Sequence, residues 1–172
     1  MTSYSAIKPM LGLLLAAACY CQSAAPAFAA PYMEGDHRMS TRVSGSFSII
    51  MTPAATPQQS GRTALARMLL EKVYTGELAA TASGEMLSAV TDTKGAAAYV
   101  AIEAITGVLQ GKKGSFVVQH AGTMADGKQE LSIVIVPHSG TGQLEGIRGT
   151  MTIRIEAGQH FYDLDYSLSD AE

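Results

Sequence analysis

The sequence contains no tryptophan and no asparagine, and its two cysteines, Cys19 and Cys21, both lie near the N-terminus. The absence of asparagine excludes N-linked glycosylation and a Cys-His-Asn catalytic set. Charged residues make up only 16% of the chain, with a formal net charge of −3 at pH 7. A mildly acidic chain gives no electrostatic reason to expect nucleic acid or an anionic membrane surface as a partner.

The first 29 residues have the pattern of an export signal. A short region carrying Lys8 precedes an apolar run at 10–18, and Ala27-Phe28-Ala29 has the A-x-A form recognised by signal peptidase. The apolar run is shorter than the roughly 20 residues that a membrane-spanning helix needs. We therefore expect residues 1–29 to be a cleaved signal peptide, the protein to be periplasmic or secreted, and no segment to span a membrane.

Cleavage before Ala30 would remove both cysteines, so the mature protein would have no disulfide and no thiol nucleophile or ligand. Its core alone would then stabilise the fold. An alternative is lipoprotein anchoring at Cys19, because Ala16-Ala17-Ala18-Cys19 resembles a lipoprotein cleavage box. We favour the site at 27–29, which has the better-formed pattern.

The rest of the chain divides into a flexible leader at 30–41, one domain at 42–168 and a tail at 169–172. Within the domain, apolar and polar residues alternate in short runs separated by glycine, proline, aspartate and serine, a pattern typical of β-strands. The predicted strands are 42–52, 64–75, 77–88, 96–109, 114–123, 129–137, 142–156 (interrupted) and 159–168. Eight consecutive short strands predict an all-β antiparallel barrel or sandwich.

Two stretches conflict with this prediction. Residues 62–72 (RTALARMLLEK) and 95–104 (GAAAYVAIEA) are rich in strong helix formers, and propensity alone would make both helices in an α+β domain. Local evidence does not decide between helix and strand. The second stretch runs directly into a strand-like segment at 105–109, and β context often overrides propensity.

Three segments resemble a bacterial family known as domain of unknown function 3224. They are 99–103 (YVAIE), 111–122 (GKKGSFVVQHAG) and 136–146 (VPHSGTGQLEG). The resemblance covers about residues 42–168, and the family is similar to the allene oxide cyclase and dirigent barrels. It implies a single eight-stranded antiparallel β-barrel of the allene oxide cyclase type with an apolar interior, and it implies no activity. Lys112 stands where the family more often has arginine, and lysine does not fully replace a bidentate arginine.

Alternation places His120 and His160 on the same faces as large apolar residues, so both are expected to point into the barrel. Two imidazoles can act as acid and base or bind a metal. No other ligand at metal-site spacing accompanies them, so we predict no metal and no cofactor. We favour buried histidines whose hydrogen bonds are satisfied by Gln, Tyr or backbone partners.

Glu103 lies in an otherwise apolar segment, on the face shared by Tyr99 and Ala101. A carboxylate inside an apolar barrel has a raised pKa and can act as a general acid or base. Both faces of this segment are apolar, so the sequence does not decide its direction, and we slightly favour an outward, solvated side chain. The candidate catalytic residues are Glu103, His120 and Tyr99.

An eight-stranded barrel is just wide enough to be filled by its own side chains or to hold one small ligand. We expect this barrel to bind a small apolar or amphipathic molecule, with no nucleic acid partner. The predicted ligand-binding residues are Phe116, His120, His160, Tyr162 and Tyr166. The alternatives are an isomerase or cyclase acting on such a molecule, and a packed structural or oligomer-forming envelope protein. Homo-oligomers are an expectation from the cyclase and dirigent resemblance alone.

Overall fold

The computed structural model describes residues 40–169, and the predictions for the signal peptide, for 30–39 and for 170–172 fall outside that range. It contains ten β-strands and no helix, and hence no helix capable of crossing a membrane. The strands are β1 (Thr41–Pro53), β2 (Gln58–Ser60), β3 (Thr63–Gly76), β4 (Leu78–Thr91), β5 (Ala97–Leu109), β6 (Lys112–Ala125), β7 (Lys128–Ile135), β8 (Thr141–Gly142), β9 (Arg148–Glu156) and β10 (Gln159–Ser167).

The eight long strands form one closed antiparallel barrel, in the order β1-β10-β9-β7-β6-β5-β4-β3 and back to β1. Closure depends on β1, which pairs with β10 from Thr41 to Phe47 and with β3 from Gly45 to Pro53. The short strand β2 pairs with β3, and β8 pairs with β6. The all-β eight-stranded barrel predicted from the sequence is confirmed.

Both helix-prone stretches are strands. Along β3 and β5 exposed and buried residues alternate with period two, and the buried positions include Leu70, Tyr74, Ala101 and Ile105. A helix would have spread these residues around its circumference, whereas a strand turns all of them toward the barrel axis. Tertiary pairing on both sides of each strand overrides the helix propensity of alanine, leucine and arginine.

Two details differ from the predicted strands. The interrupted segment at 142–156 divides into β8 and β9, separated by a turn, and the stretch predicted as a loop at 53–62 contains the short strand β2. The turn between β8 and β9 carries Leu144 and Ile147, both fully buried. It folds over one end of the barrel and covers it.

The weakest pairing in the barrel is between β7 and β9. The two strands share one residue pair, Val134 with Thr150, whereas β4 and β5 pair continuously from Leu78–Leu109 to Val90–Ala97. Between Val134 and the start of β7, the two strands share no further residue pair. This seam lies beside the open end of the barrel.

The two ends of the barrel are filled differently. The end covered by the β8–β9 turn, here called the packed end, is filled by large side chains: Leu78, Leu109, Phe116, Leu144, Tyr162, Leu164 and Tyr166. The Tyr162 hydroxyl accepts a hydrogen bond from the Leu78 backbone N–H at 3.0 Å, so this buried phenol is satisfied. The opposite end, the open end, is hollow.

Candidate functional site

A cavity of about 440 Å³ occupies the open end of the barrel. Its volume falls within the range of about 300–1,000 Å³ that is usual for small-molecule sites. Its walls are mainly apolar and include three methionines, Met51, Met86 and Met124. Leu131 of β7 and Ile153 of β9 also line it, so the cavity lies directly behind the β7–β9 seam.

The space exists because inward positions near this end carry small residues. Ala97 and Ala101 on β5 and Ser88 on β4 line the cavity, where the packed end has leucine, phenylalanine and tyrosine. Gly122, inward on β6, leaves room for the Tyr99 ring, whose Cζ would lie 2.8 Å from a Cβ at that position. The cavity is therefore a consequence of residue size at a few alternating positions.

Three of the polar side chains in the lining of this cavity are fully buried: Lys72 of β3, Glu103 of β5 and His120 of β6. Lys72 Nζ donates to Glu103 Oε1 at 2.7 Å, and His120 Nε2 lies 3.1 Å from the same oxygen. The exposed fractions of the three residues are 5%, 1% and 2%. They form a compact buried polar cluster, here called the polar floor.

The polar floor is incompletely satisfied. Glu103 Oε2 has no hydrogen-bond partner, and His120 Nε2, although 3.1 Å from Glu103 Oε1, makes no hydrogen bond. The hydroxyl of Tyr74, also buried, has no partner either. Buried polar atoms without partners are uncommon, because each carries its full cost of desolvation. Three such atoms, on β3, β5 and β6, make this region the candidate functional site.

Burial and charge set the protonation states here. Burial, and secondarily the positive charge of Lys72, lowers the pKa of His120 to about 4, so this imidazole is neutral at pH 7. Burial, and secondarily the negative charge of Glu103, raises the pKa of the Tyr74 phenol well above its usual range. The polar floor therefore places a neutral imidazole beside the Lys72–Glu103 ion pair.

A second hollow, of about 940 Å³, lies on the outer face of β3 to β7. Although it is larger, it is a shallow surface depression, and Arg67 and Glu130 in its lining are exposed to solvent. It contains none of the unsatisfied buried groups, so the interior cavity is the stronger candidate site.

The structure corrects two expectations about the candidate residues. Glu103 points into the barrel rather than to solvent, because inward residues on β5 carry odd numbers throughout. His120 is buried as expected, but its Nε2 is not satisfied by a Gln, Tyr or backbone partner. Its neighbour is the carboxylate of Glu103.

The structure brings Tyr99, Glu103, His120 and His160 together in the cavity lining. The ring of His160 lies 5.1 Å from that of Phe47. Three other predicted ligand contacts, Phe116, Tyr162 and Tyr166, lie in the packed end and do not line the cavity. Their ligand-binding role stays a prediction, and nothing proposed below depends on it.

Sequence reasoning missed Lys72. It ends the stretch 62–72, which is rich in helix formers, and was not among the candidate residues. Once 64–75 is treated as a strand, alternation places Lys72 on the face of Leu70 and Tyr74, both apolar and buried. A lysine in register with two core residues was the available signal.

Within residues 40–169, no three His, Asp or Glu side chains stand close enough together to hold a metal ion. Lys72 is not a usual metal ligand, since its ammonium donates hydrogen bonds and accepts none. The chemistry that the polar floor offers is hydrogen bonding and proton transfer.

A solved structure has a similar barrel. The chain is similar to a structure from Shewanella oneidensis MR-1, described as a protein with unknown function from the DUF3224 family, with 49% sequence identity and a TM-score of 0.73. The match covers 77% of this chain and 100% of that one. No curated protein matches the sequence. The barrel itself is compatible with the resemblance to allene oxide cyclase and dirigent proteins and supports nothing beyond the fold.

The family model described as "Protein of unknown function (DUF3224)" matches residues 43–166, which is the whole barrel. Both the cavity and the polar floor fall within the matched range. The chain therefore belongs to the DUF3224 family.

Proposed function

We propose that this protein binds a small amphipathic molecule inside the open end of its barrel. The observation that carries the proposal is an apolar cavity of about 440 Å³ lined by a buried, incompletely satisfied polar cluster. Ligand sites in proteins typically combine apolar walls with a few convergent polar groups. A barrel serving only as a packed structural element would have large side chains at both ends.

The walls suit a ligand of variable shape. Met51, Met86 and Met124 are unbranched and flexible, and methionine is common on surfaces that accept more than one partner. The polar floor gives the ligand one preferred orientation, with its polar end toward Glu103 and its apolar part toward the methionines.

Native mass spectrometry of residues 30–172 tests this proposal. We expect a small-molecule mass on the protein purified from its source, or after exposure to a lipid and metabolite extract. Ala101→Phe fills the cavity and removes no hydrogen bond, so it should abolish the bound mass. Ala104→Phe on the same strand is the matched control, because Ala104 is exposed on the outer face.

Equal loading of the two variants would contradict binding inside the barrel, and persistent absence of any bound mass would contradict the proposal as a whole. Circular dichroism on both variants establishes that each is folded. The native mass spectra also report the number of chains per particle, which tests the expectation of homo-oligomers.

A second candidate function is proton transfer on the bound molecule, as in an isomerase or cyclase. It is favoured by the 3.1 Å approach of a neutral imidazole nitrogen to a carboxylate beside the cavity. Glu103→Gln and His120→Gln would then abolish turnover of the ligand identified by mass spectrometry while the ligand still binds. Unchanged turnover in both variants would exclude the enzyme and leave the binding protein.

We further propose that the site operates outside the cytoplasm. The support is the A-x-A pattern at 27–29 and the apolar run before it.

A further inference from the structure

In the polar floor, Glu103 carries an unused hydrogen-bond acceptor, and the cation beside it, Lys72, is already paired. Glu103 Oε1 already receives the Lys72 ammonium at 2.7 Å, while Glu103 Oε2 has no partner. An ionised carboxylate oxygen only accepts hydrogen bonds. The vacant bonding capacity of Glu103 is therefore that of an acceptor carrying negative charge.

The charges around this oxygen exclude an anionic ligand. Within residues 40–169, Lys72 is the one buried lysine or arginine, and it is committed to Glu103. His120 beside it is neutral. A fatty-acid carboxylate at this depth would stand next to Glu103 with no cation of its own, in surroundings where like charges repel strongly.

A cationic ligand is also disfavoured. Lys72 already lies within hydrogen-bond distance of the Glu103 carboxylate, which would have to receive the ligand as a second cation. Burying an additional charge without its own partner is costly. The remaining class is an uncharged molecule with a hydrogen-bond donor.

We infer that the ligand is an uncharged apolar molecule bearing a hydroxyl or comparable O–H or N–H donor at its buried end, and that this group donates to Glu103 Oε2. The inference rests on the proposed function and specifies its ligand class. The donor hydrogen bond replaces a vacancy, so it adds affinity without displacing an existing partner.

Access to the oxygen requires a small local rearrangement, since Glu103 Oε2 does not contact water-sized space. Met86 lies two residues from Gly84, at the next inward position of β4, and Gly84 is paired with Glu103 across β4 and β5. Changes in methionine rotamers are inexpensive compared with backbone movement. We expect rearrangement of side chains such as Met86, without a change in the strands, to admit the donor.

Three probes with the same ten-carbon chain test the inference: 1-decanol, 1-methoxydecane and sodium decanoate. Their affinities are measured by titration in native mass spectrometry on residues 30–172. Because a hydrogen bond to a charged group adds about tenfold or more in affinity, we expect 1-decanol to bind at least tenfold more tightly than the other two. The ether lacks the donor and the decanoate has the wrong charge.

The double variant Lys72→Met/Glu103→Gln removes the ion pair without leaving either charge unpaired. In it, 1-decanol should bind within about threefold of 1-methoxydecane. Arg67→Met/Glu85→Gln is the matched control double variant: it removes an exposed ion pair outside the polar floor and should retain the preference for the alcohol, because it leaves Glu103 in place. Ala101→Phe supplies the baseline for binding outside the cavity.

The outcomes separate the two claims. Comparable binding of all three probes to the wild type, abolished by Ala101→Phe, overturns the inference and leaves the proposed function intact. Tightest binding of decanoate overturns the inference, because it would require Lys72 to be free for an anion. No binding of any probe above the Ala101→Phe baseline overturns both. A preference for the alcohol that survives in the double variant overturns the role of Glu103.

Discussion

Gly84 and Glu103 are paired directly across β4 and β5, and the missing side chain of the glycine makes room for the carboxylate. A Cβ at position 84 would lie 2.7 Å from Glu103 Cγ and 2.8 Å from Glu103 Cα. These distances are far inside van der Waals contact. The position of the carboxylate beside the cavity thus depends on a residue 19 positions earlier in the chain.

We expect Gly84→Ala to lower the free energy of unfolding by about 1–3 kcal/mol, as overpacking does elsewhere. The added Cβ would clash with the backbone carbonyl of Ile102 and with the backbone and side chain of Glu103, so Glu103 would shift and binding of a cavity ligand should weaken as well. Chemical denaturation and ligand titration measure the two effects. Ser83→Ala, at the adjacent exposed position on the same strand, is the control and should change neither. If Gly84→Ala left the free energy of unfolding unchanged, that result would contradict the tight fit between β4 and β5.

The buried ion pair gives a second prediction. Lys72→Met leaves the Glu103 carboxylate buried without its cation, and such a change costs about 3–5 kcal/mol of stability. Lys72→Met/Glu103→Gln should recover most of that loss, because neither charge is then unpaired. Denaturation of the wild type, both single variants and the double variant gives the coupling energy.

Arg67→Met is the matched control for Lys72→Met. Arg67 makes a two-pronged contact with Glu85, at 2.7 and 2.8 Å, but both side chains are about half exposed. Pairs of this kind contribute about 0–1 kcal/mol. If Lys72→Met lowered the free energy of unfolding by no more than Arg67→Met, the polar floor would be solvated rather than buried.

The lowered pKa of His120 predicts a pH dependence of stability. Its pKa is about 4 in the folded protein and about 6.5 when unperturbed. Between those values the unfolded chain binds a proton that the folded protein does not, so stability falls as the pH is lowered. We expect a loss of about 2 kcal/mol between pH 6.5 and pH 5. The charged and titratable groups facing this imidazole include Lys72 and Glu103.

His120→Gln should remove that slope, whereas Ser83→Ala, at an exposed position of β4, should retain it. Denaturation at pH 6.5, 6 and 5 makes the comparison. Asp163 and Asp165 have pKa values below their usual 3.8, so their contribution is lost only at lower pH and does not overlap this window. An unchanged slope in His120→Gln would show that another group titrates.

Processing of the N-terminus gives the fourth prediction. Expression of the full chain in a bacterium with a functional export pathway should give an intact mass that begins at Ala30. Ala29→Tyr disrupts the A-x-A site and should leave the signal attached. A product that begins at Cys19 with a lipid attached would instead establish the lipoprotein alternative.

The barrel was predictable from the sequence because the alternation that specifies each strand lies within that strand. Alternation along β1, β6, β9 and β10 is visible within each strand, and the glycine-rich segment at 139–149 marks a turn. The polar floor was not predictable in the same way. Val100 and Ile102 are apolar yet about half exposed on the outer face of β5, so alternation could not tell which side of that strand is inside.

The meeting of Lys72, Glu103 and His120 depends on register. Their partners across the strands are Ala82, Gly84 and Ala101, none of which signals a site by its chemistry. Lys72 and Glu103 are 31 positions apart and lie on β3 and β5, which are separated by β4. No spacing rule predicts a contact between residues in strands that are not adjacent. Only the assembled sheet reveals that their side chains meet.

In the proposed function, the unequal filling of the two ends separates the tasks of folding and recognition within one small barrel. Leu109, Phe116 and Tyr162 are fully buried at one end, whereas Ala97 and Met124 at the other end are only partly buried. We therefore expect substitutions at Ala97 or Met124 to alter what the protein recognises while the fold endures. On this proposal, a family built on this plan diversifies its ligands by changing a handful of inward positions, with the same scaffold beneath each of them.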